Sequence, residues 1–406
     1  MSKFENIPYN WRKLISYSLV AVASSVLTAV LLIVFGSSTI INYSSKGNYN
    51  QSMLKLEEVY NIIQEQYIGD ADEETMIDAA AQALVLATGD KWSYYMSAEE
   101  YAYYKQVTSN AYEGIGVTVN SDQMDKGFLI EKVDPDGGAA AAGIQAGDYI
   151  THVEGQAVYN MSTSDAQSMI RGQGGTKVKL TINRNGTSMD LEVIRGTNTT
   201  AVATGKLLDG NVGLITIANF NERCYQETVD AIESLKSQGA TSLIFDVRNN
   251  PGGYKSELVA VLDYLLEKDK VLFRSEMYNG VKEVDYAKEG KRCDLPVVVL
   301  VNADSYSAAE FFAAALVEHG RATTVGVHTT GKGYFQTNIE LSDGSAVHLS
   351  VGKFTTPNGI NLAEVGGIAP KYEVKLTEEQ AEKLAAGELD PEDDPQIQKA
   401  VEELLK

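Results

Sequence analysis

Apolar and polar residues follow one another along the chain in three different patterns. Residues 14–35 form a run of 22 without a charged side chain, long enough to cross the roughly 30 Å core of a membrane as a helix. Residues 41–52 are polar and predict a linker. From residue 53 to residue 105 apolar side chains recur every three or four positions, which predicts helices.

Strand-like spacing begins at Tyr112. Short runs rich in β-branched residues at 112–119 and 127–133 precede a helical segment at 161–172, and two further strands follow at 176–186 and 188–195. Several strands and short helices in so short a stretch predict a compact α+β module.

Beyond residue 200 strands and helices alternate. We expect strands at 211–220, 242–250, 295–302 and 323–327, and helices near 224–238, 254–267 and 307–318. Continuous apolar strands between helices predict an α/β core with a largely parallel sheet. From about residue 377 the acidic tail predicts two helices with a turn between them.

The charge pattern at the N-terminus orients the apolar run. Lys3, Arg12 and Lys13 precede it, whereas Lys46 is the only early basic residue after it. Because the basic end of a membrane helix stays in the cytoplasm, we expect a single-pass anchor in the cell membrane, with the rest of the chain outside the cytoplasm. A cleaved signal peptide is the alternative. The small-residue pattern that cleavage requires lies inside the apolar run, at 21–23, which favours the uncleaved anchor.

Composition excludes one large class of partner. The 406 residues carry a net charge of −21, and a phosphate backbone requires a basic face, so no nucleic acid partner is expected. The two cysteines, Cys224 and Cys293, have no metal-binding spacing. A disulfide between them and two separate buried thiols are both open.

Three segments that follow predicted strands carry candidate chemistry: DVRNNPGG at 246–253, NADSYSAAEFF at 302–312 and TTGKGYFQ at 329–336. The carboxyl ends of parallel strands are where ligands meet polar groups. The three segments resemble the motifs D-L-R-x-N-P-G-G, S-A-S-A-S-E and G-K-G-x-x-Q of the C-terminal processing peptidases, in the same order. Tyr306 stands where the family has Ala, and Ala309 replaces its third serine.

The resemblance implies that Ser307 is the nucleophile, that Lys332 is its base and that Gln336 orients the lysine. A serine hydroxyl needs a neighbour that takes its proton, and a lysine can do so only when desolvation lowers its pKa. The backbone N–H of Ala308 and that of Gly252 or Gly253 are candidate oxyanion donors, and the sequence leaves the choice of glycine open.

Two other functional motifs, a P-loop and a Ser-His-Asp triad, are not supported by the residues present. The stretch 326–332 fits GxxxxGK, but Gly333 follows where a P-loop needs Ser or Thr. The four histidines suggest a Ser-His-Asp triad, yet none lies in a matching motif.

The 112–119 run resembles the carboxylate-binding loop of PDZ domains, with Gly114, Ile115, Gly116 and Val117 as the binding positions. The segment 139–158 resembles the A-G-I-x-x-G-D-x-I-x-x-V-x-G stretch of bacterial PDZ domains. Arg171 matches a family segment, and we hypothesise that it links an occupied PDZ domain to the active site.

The resemblance covers roughly residues 53–400 and implies a multidomain protein of α/β and α+β class. Its parts would be a transmembrane helix, a helical arm, an inserted PDZ domain and a crotonase-like ββα peptidase core. The expected boundaries are a cytoplasmic N-terminus 1–13, an anchor 14–35, a linker 36–52, an N-terminal helical region 53–111, a PDZ domain 112–195, a peptidase core 196–376 and a C-terminal helical region 377–406.

The predicted function is a membrane-anchored serine endopeptidase that recognises exposed, apolar C-termini of proteins. The resemblance also implies a homodimer formed through the terminal helices, and no metal or organic cofactor. One alternative is an inert PDZ scaffold that binds C-terminal peptides in the cell envelope. Another is an acyl-transfer enzyme acting on thioesters, but no nucleotide-binding feature accompanies it.

Overall fold

The computed structural model describes residues 49–120, 124–290 and 292–406. The predicted anchor, 14–35, lies outside these residues. Among the helices of the described part, none is both long and apolar enough to cross a membrane. The chain divides into two compact units, residues 1–80 and 81–406, and each is described by itself.

The helices carry the labels α1 to α11 in chain order. They are α1 Tyr49–Gln66, α2 Glu73–Leu86, α3 Ala98–Thr108, α4 Gly138–Ala141, α5 Thr163–Ile170, α6 Cys224–Ser237, α7 Lys255–Leu265, α8 Ala308–Glu318, α9 Leu362–Val365, α10 Glu378–Ala386 and α11 Pro395–Leu404. Short 3-10 turns occur at Met124–Lys126 and Asp209–Asn211.

The strands carry the labels β1 to β19. They are β1 Tyr94–Met96, β2 Ala111–Gly114, β3 Val117–Asn120, β4 Phe128–Val133, β5 Tyr149–Val153, β6 Gln156–Ala157, β7 Lys177–Arg184, β8 Thr187–Ile194, β9 Gly196–Thr199, β10 Ala203–Leu208, β11 Val212–Ile217, β12 Ser242–Asp246, β13 Val271–Met277, β14 Lys282–Tyr286, β15 Val297–Val301, β16 Ala322–Gly326, β17 Tyr334–Glu340, β18 Ala346–Thr355 and β19 Tyr372–Glu373.

The first unit contains α1 and the start of α2. Helix α1 exposes apolar side chains, among them Leu54, Val59 and Ile62. The helical spacing of this stretch is therefore confirmed as secondary structure, and its apolar residue Val59 is 48% exposed.

The second unit contains an antiparallel module at about residues 111–199. Its sheet has the order β3-β4-β5-β7-β8, with β6 paired to β5. Strand β3 lies at the edge of this sheet and pairs with β4 only. The module has its own core, which includes Ile115, Phe128 and Ile182. A separate two-stranded sheet, β2 with β9, connects its ends. The α+β prediction for this region is confirmed.

The core sheet has the order β10-β11-β12-β15-β16-β19, parallel throughout except for β10. Successive side chains of a strand point to opposite faces. Phe245 and Val299 therefore join the cluster that contains α6, α7 and α8, whereas Ile244 and Val298 pack with Ile397 of α11. Helices on both faces explain why these strands are continuously apolar, as predicted.

A second, antiparallel sheet was not predicted. It runs β1-β18-β13-β14, with β17 paired to β18. Strand β1 lies in the stretch that was predicted to be wholly helical, and that part of the prediction is wrong. Its short aromatic run pairs with Ala346–His348, a long-range contact that local spacing does not reveal.

The two cysteines are separate buried thiols and do not form a disulfide. Cys224 and Cys293 are both fully buried and unpaired with each other. Burial raises the pKa of the Cys224 thiol to about 12, which leaves it unreactive at neutral pH.

Candidate functional site

Three loops at one edge of the core sheet bring the candidate residues together. They follow β12, β15 and β16, which are neighbours in the sheet. The lysine loop touches the serine loop directly, because Thr330 N–H donates to Ser305 O at 3.3 Å and Thr330 Oγ1 donates to Ala303 O at 2.6 Å. The 246–253 segment lies against the serine loop too, because Tyr306 N–H donates to Asn250 O at 3.2 Å.

Ser307 lies at the sharp turn between β15 and α8. Its backbone has φ 57° and ψ −124°, a conformation that costs a residue other than glycine about 1–3 kcal/mol. Such a strained strand-to-helix turn presents a nucleophile at the top of a sheet. The adjacent N-terminus of α8 provides the positive end of a helix dipole beside the hydroxyl.

The glycines of the first loop are not equivalent. Gly252 packs against the nucleophile, since a Cβ built there would lie 2.7 Å from Ser307 Cβ and 2.9 Å from Ala308 N. Its N–H donates to Asn250 Oδ1 at 2.8 Å and is therefore occupied. Gly253 is exposed, and neither its N–H nor that of Ala308 donates to an acceptor in the described part of the chain.

Lys332 is nearly buried, with 9% of its surface exposed. Desolvation lowers the pKa of its amine from 10.5 to about 8; the negative charges of Asp90 and Glu310 oppose this shift, and the positive charge of Lys91 adds to it. An amine with this pKa is about one-tenth neutral at pH 7 and half neutral at about pH 8, and the neutral form is the one that a base requires.

Glu310 connects the serine and lysine loops from the first turn of α8. Its buried carboxylate accepts Thr329 Oγ1 at 2.5 Å and Gly331 N–H at 2.7 Å on Oε1. On Oε2 it accepts Lys332 N–H at 2.9 Å and Ser307 N–H at 3.1 Å. Four donors on one carboxylate fix the two loops relative to each other. The motif contains this residue, but sequence reasoning gave it no role.

Gln336 lies on β17, four residues after the lysine, and its amide has other partners. Its Nε2 donates to Ser350 Oγ at 2.9 Å and to Tyr334 O at 3.2 Å. Within the described residues, the Lys332 amine forms no hydrogen bond with Gln336 or with Ser307 Oγ. Catalytic hydrogen bonds are often long in substrate-free enzymes and tighten when substrate binds.

Two residues of the site, Asp90 and Trp92, were missed. Both precede β1, and Trp92 lies over the Lys332 amine, which is 4.4 Å from the centre of the ring. Burial would raise the pKa of the Asp90 carboxyl, but hydrogen bonds from Ser350, Ser93 and the Trp92 N–H together lower it. The available signal was the aromatic run after a Gly-Asp turn, which is typical of a strand and not of a helix.

The histidines play no part near the nucleophile in the described residues. Burial and the charge of Lys332 lower the pKa of His348 to about 4. Its Nδ1–H donates to Asn338 Oδ1 at 2.6 Å, and its ring stacks on Tyr94. The described part of the chain also contains no cluster of three or more metal-ligating side chains.

The predicted carboxylate-binding loop lies between β2 and β3. Gly114, Ile115 and Gly116 are buried, and Gly116 has φ +78°, with Asn198 Oδ1 only 2.6 Å from where a Cβ would be. The carbonyls of Ile115 and Gly116 accept from Ala139 and Asp134, while their N–H groups have no acceptor among the described residues. Val117 begins the edge strand β3, next to these free donors.

Arg171 lies at the end of α5, exposed and with its guanidinium 6.0 Å from the Tyr112 ring. Tyr112 belongs to β2, the strand that leads into the loop at 114–117. The structure thus places Arg171 beside β2, just before the predicted carboxylate-binding loop. No described contact joins it to Ser307 or Lys332.

Three family models match successive parts of the chain. Residues 211–374 match Peptidase family S41, and residues 105–183 match the PDZ domain. Residues 36–100 match the N-terminal domain of the activating protease CtpB.

Individual relatives agree. Carboxy-terminal processing protease CtpA of Bacillus subtilis strain 168 is 34% identical over 90% of this chain and 78% of its own length. CtpB of the same organism is 30% identical over 84% of this chain and 70% of its own length. A solved structure described as an S41 protease of Bacteroides fragilis NCTC 9343 shares the fold, with a TM-score of 0.51 and 16% identity over 84% of this chain and 92% of that one. The chain belongs to the carboxy-terminal processing proteases of peptidase family S41, and it is a serine peptidase with a PDZ domain.

Proposed function

We propose that this protein is a membrane-anchored endopeptidase that cleaves peptide bonds by Ser307–Lys332 acyl-enzyme chemistry and selects substrates by their C-terminal tails. The observation that carries the proposal is the pairing of a strained, half-buried Ser307 with a nearly buried Lys332 whose pKa is about 8. Glu310 binds the backbones of both residues and so holds them together.

In the first step Ser307 Oγ attacks the scissile carbonyl carbon while Lys332 Nζ takes the hydroxyl proton. The C–N bond of the tetrahedral intermediate then breaks, and the lysine returns the proton to the leaving amine. Water attacks the resulting ester, with Lys332 again as base, and restores the serine. Gln336 is proposed to turn its amide towards the lysine when substrate is bound; it carries no charge that would stabilise the protonated amine.

The oxyanion of the intermediate needs N–H donors that are not already occupied. Gly252 donates to Asn250, so we assign the hole to the N–H groups of Gly253 and Ala308. Gly252 would then act by its lack of a side chain, which allows the loop to lie against Ser307. Removing one such donor typically costs about 10²–10³ in rate.

The PDZ domain is proposed to bind the substrate tail as an added strand. The free edge of β3 offers unpaired backbone groups, and the N–H groups of Ile115 and Gly116 have no acceptor in the described chain, as a carboxylate-binding loop requires. The proposal includes apolar tails, as the resemblance of the loop at 114–117 to PDZ domains implies. Arg171 is proposed to transmit tail binding to the peptidase core.

Three further parts of the proposal concern the membrane anchor, the homodimer and the class of the core fold. The uncharged run 14–35 and the basic residues before it support a single-pass anchor with the catalytic part outside the cytoplasm. The exposed apolar side chains of α1 support a homodimer through this helix. The arrangement of β strands and helices around α8 is compatible with a crotonase-like core.

The test is cleavage of an unstructured protein with an apolar C-terminus by the full-length chain in detergent. Ser307→Ala and Lys332→Ala should be inactive but folded, and exposed Ser256→Ala should cut like the parent. A serine-directed fluorophosphonate should label Ser307 alone. Converting the substrate's C-terminal carboxylate to an amide should raise KM. This change leaves the enzyme itself unaltered, so it tests tail recognition separately from the Ser307–Lys332 dyad.

Each part can fail separately. Unchanged cleavage by Ser307→Ala would reject the nucleophile. A folded parent that binds tails but neither cuts nor takes the label would support the inert scaffold instead. Equal cleavage of free and amidated tails would reject recognition through the PDZ domain.

A further inference from the structure

Two aromatic rings lie close to the Lys332 amine. Its Nζ lies 4.4 Å from the ring centre of Trp92 and 5.8 Å from that of Tyr306. The two rings are 5.8 Å apart and inclined by 33°, so they form two walls around the amine. Tyr306 is one of the residues at which this chain departs from the family motif.

We propose that Trp92 is a positioning residue that covers the Lys332 amine, keeps water away from it and holds it beside the Ser307 turn. Tyr306 forms the second wall of the same enclosure. The inference rests on the proposed function, in which Lys332 acts as the base, and adds a residue that controls when this base is neutral.

A ring above an amine has two opposing effects. Its face attracts the charged ammonium by about 0.5–2 kcal/mol. It also excludes water, and removing the hydration of an ammonium disfavours the charged form by more. Burial is accordingly the dominant influence on the Lys332 pKa and lowers it. We conclude that coverage by Trp92 favours the neutral amine on balance.

Trp92 is held in this position by a built network. The backbone N–H of Trp92 donates to Asp90 Oδ1 at 3.0 Å, and Ser93 Oγ donates to Asp90 Oδ2 at 2.5 Å. Ser93 Oγ in turn accepts Ser350 N–H at 2.9 Å on β18. Strand β1 then pairs with the same strand. The tryptophan is thus fixed to β18, which also carries the hydroxyl that binds Gln336.

Several charged or titratable groups face the enclosure and enter any pH experiment. Asp90 and Lys91 come from the Trp92 segment, and Lys91 Nζ lies 4.6 Å from the Trp92 ring. Glu310 comes from α8, Tyr306 from the serine loop and His348 from β18. Burial raises the pKa of Tyr306, while that of His348 is about 4, so the Lys332 amine is the group of this set expected to titrate near pH 8.

The chain has two tryptophans, Trp11 and Trp92, which permits a direct measurement. In full-length Trp11→Phe protein, Trp92 is the only indole, and a charge appearing 4.4 Å from its ring changes its emission. We expect an emission transition with a midpoint near pH 8 that is absent in Trp11→Phe/Lys332→Met. No transition between pH 6.5 and 9.5, or the same transition without Lys332, would overturn the inference.

Activity gives a second, signed readout. In Trp92→Ala the acid limb of the kcat/KM profile should move up by at least about one pH unit, because water reaches the ammonium. Trp92→Phe, which keeps a ring, should move it less, as should Tyr306→Ala. An unchanged limb, or one that moves to lower pH in folded Trp92→Ala, would overturn the inference. If Trp92→Ala does not fold, the emission titration tests the inference without it. That titration needs no activity, so it remains a valid test even if Ser307→Ala shows that the proposed chemistry is wrong.

Discussion

The backbone N–H groups of Ser307 and Lys332 donate to the same carboxylate oxygen, Oε2 of Glu310, at 3.1 Å and 2.9 Å. The two residues are far apart in the chain and come from different loops. Their relative position therefore depends on one buried acceptor in the first turn of α8, three residues after Ser307. This bond pair explains how a nucleophile and a lysine from separate strand ends reach a common site.

Glu310→Gln should reduce both activity and stability. A glutamine offers one oxygen to four donors and places an N–H₂ group against the others, and each buried donor left unsatisfied costs about 1–3 kcal/mol. We expect kcat to fall roughly 10- to 100-fold, because a small displacement of reacting groups has effects of that order.

The matched control is Glu257→Gln. Glu257 lies in the first turn of α7 and accepts one backbone N–H, that of Tyr225, at 2.7 Å, which a glutamine oxygen can still accept. Steady-state kinetics and urea unfolding should show little change for this variant. Equal effects of both substitutions would show that Glu310 has no special connection to the dyad.

The acid limb of kcat/KM should have its midpoint near pH 8 and should respond in opposite directions to two neighbouring charges. The negative charge of Asp90 raises the pKa of Lys332, so Asp90→Asn lowers it and moves the limb to lower pH. The positive charge of Lys91 lowers the same pKa, so Lys91→Met moves the limb to higher pH. Profiles measured with one peptide substrate check both signs, and shifts in the same direction would contradict the assignment of Lys332 to this limb.

Gly252→Ala should abolish most activity through a local clash. The new Cβ would lie 2.7 Å from Ser307 Cβ, at a backbone φ of +93°. We expect kcat to fall about 10²-fold or more, as when an oxyanion donor is displaced. Gly239→Ala is the control, since Gly239 has φ +97° but open space around it. It should lose about 1–2 kcal/mol of stability and keep its kcat; comparable loss of kcat in both variants would point to backbone strain alone.

Arg248→Ala should destabilise the protein strongly. The buried guanidinium pairs with Asp246 Oδ2 at 2.6 Å and with Asp394 Oδ2, before α11, at 2.7 Å. Removing one partner of a buried pair leaves uncompensated charge and costs about 3–5 kcal/mol. Urea midpoints test this, with Lys383→Ala as the control because its pair with Glu379 lies on the surface. An unchanged midpoint for Arg248→Ala would show that α11 is not tied to the active-site loop through this pair.

Elements with a strong local pattern were predictable, and those that depend on distant pairing were not. The spacing near 224–238 predicted α6, observed at Cys224–Ser237, because an amphipathic helix shows its period within one segment. In strands β17 and β18 buried and exposed residues alternate too irregularly for local spacing to predict them. Their pairing, with Ser350 opposite Gln336, joins the lysine loop to a sheet that begins with β1.

The sequence by itself determined the family, the parallel core and the identity of the candidate nucleophile and base, because each depends on residue types at short, ordered spacings. Only the tertiary structure decided how the lysine is tuned. The burial of its amine beside Trp92, the shared acceptor Glu310 and the occupied N–H of Gly252 depend on which groups meet across the fold. Desolvation and hydrogen-bond occupancy are properties of that three-dimensional packing, and no local pattern of residues contains them.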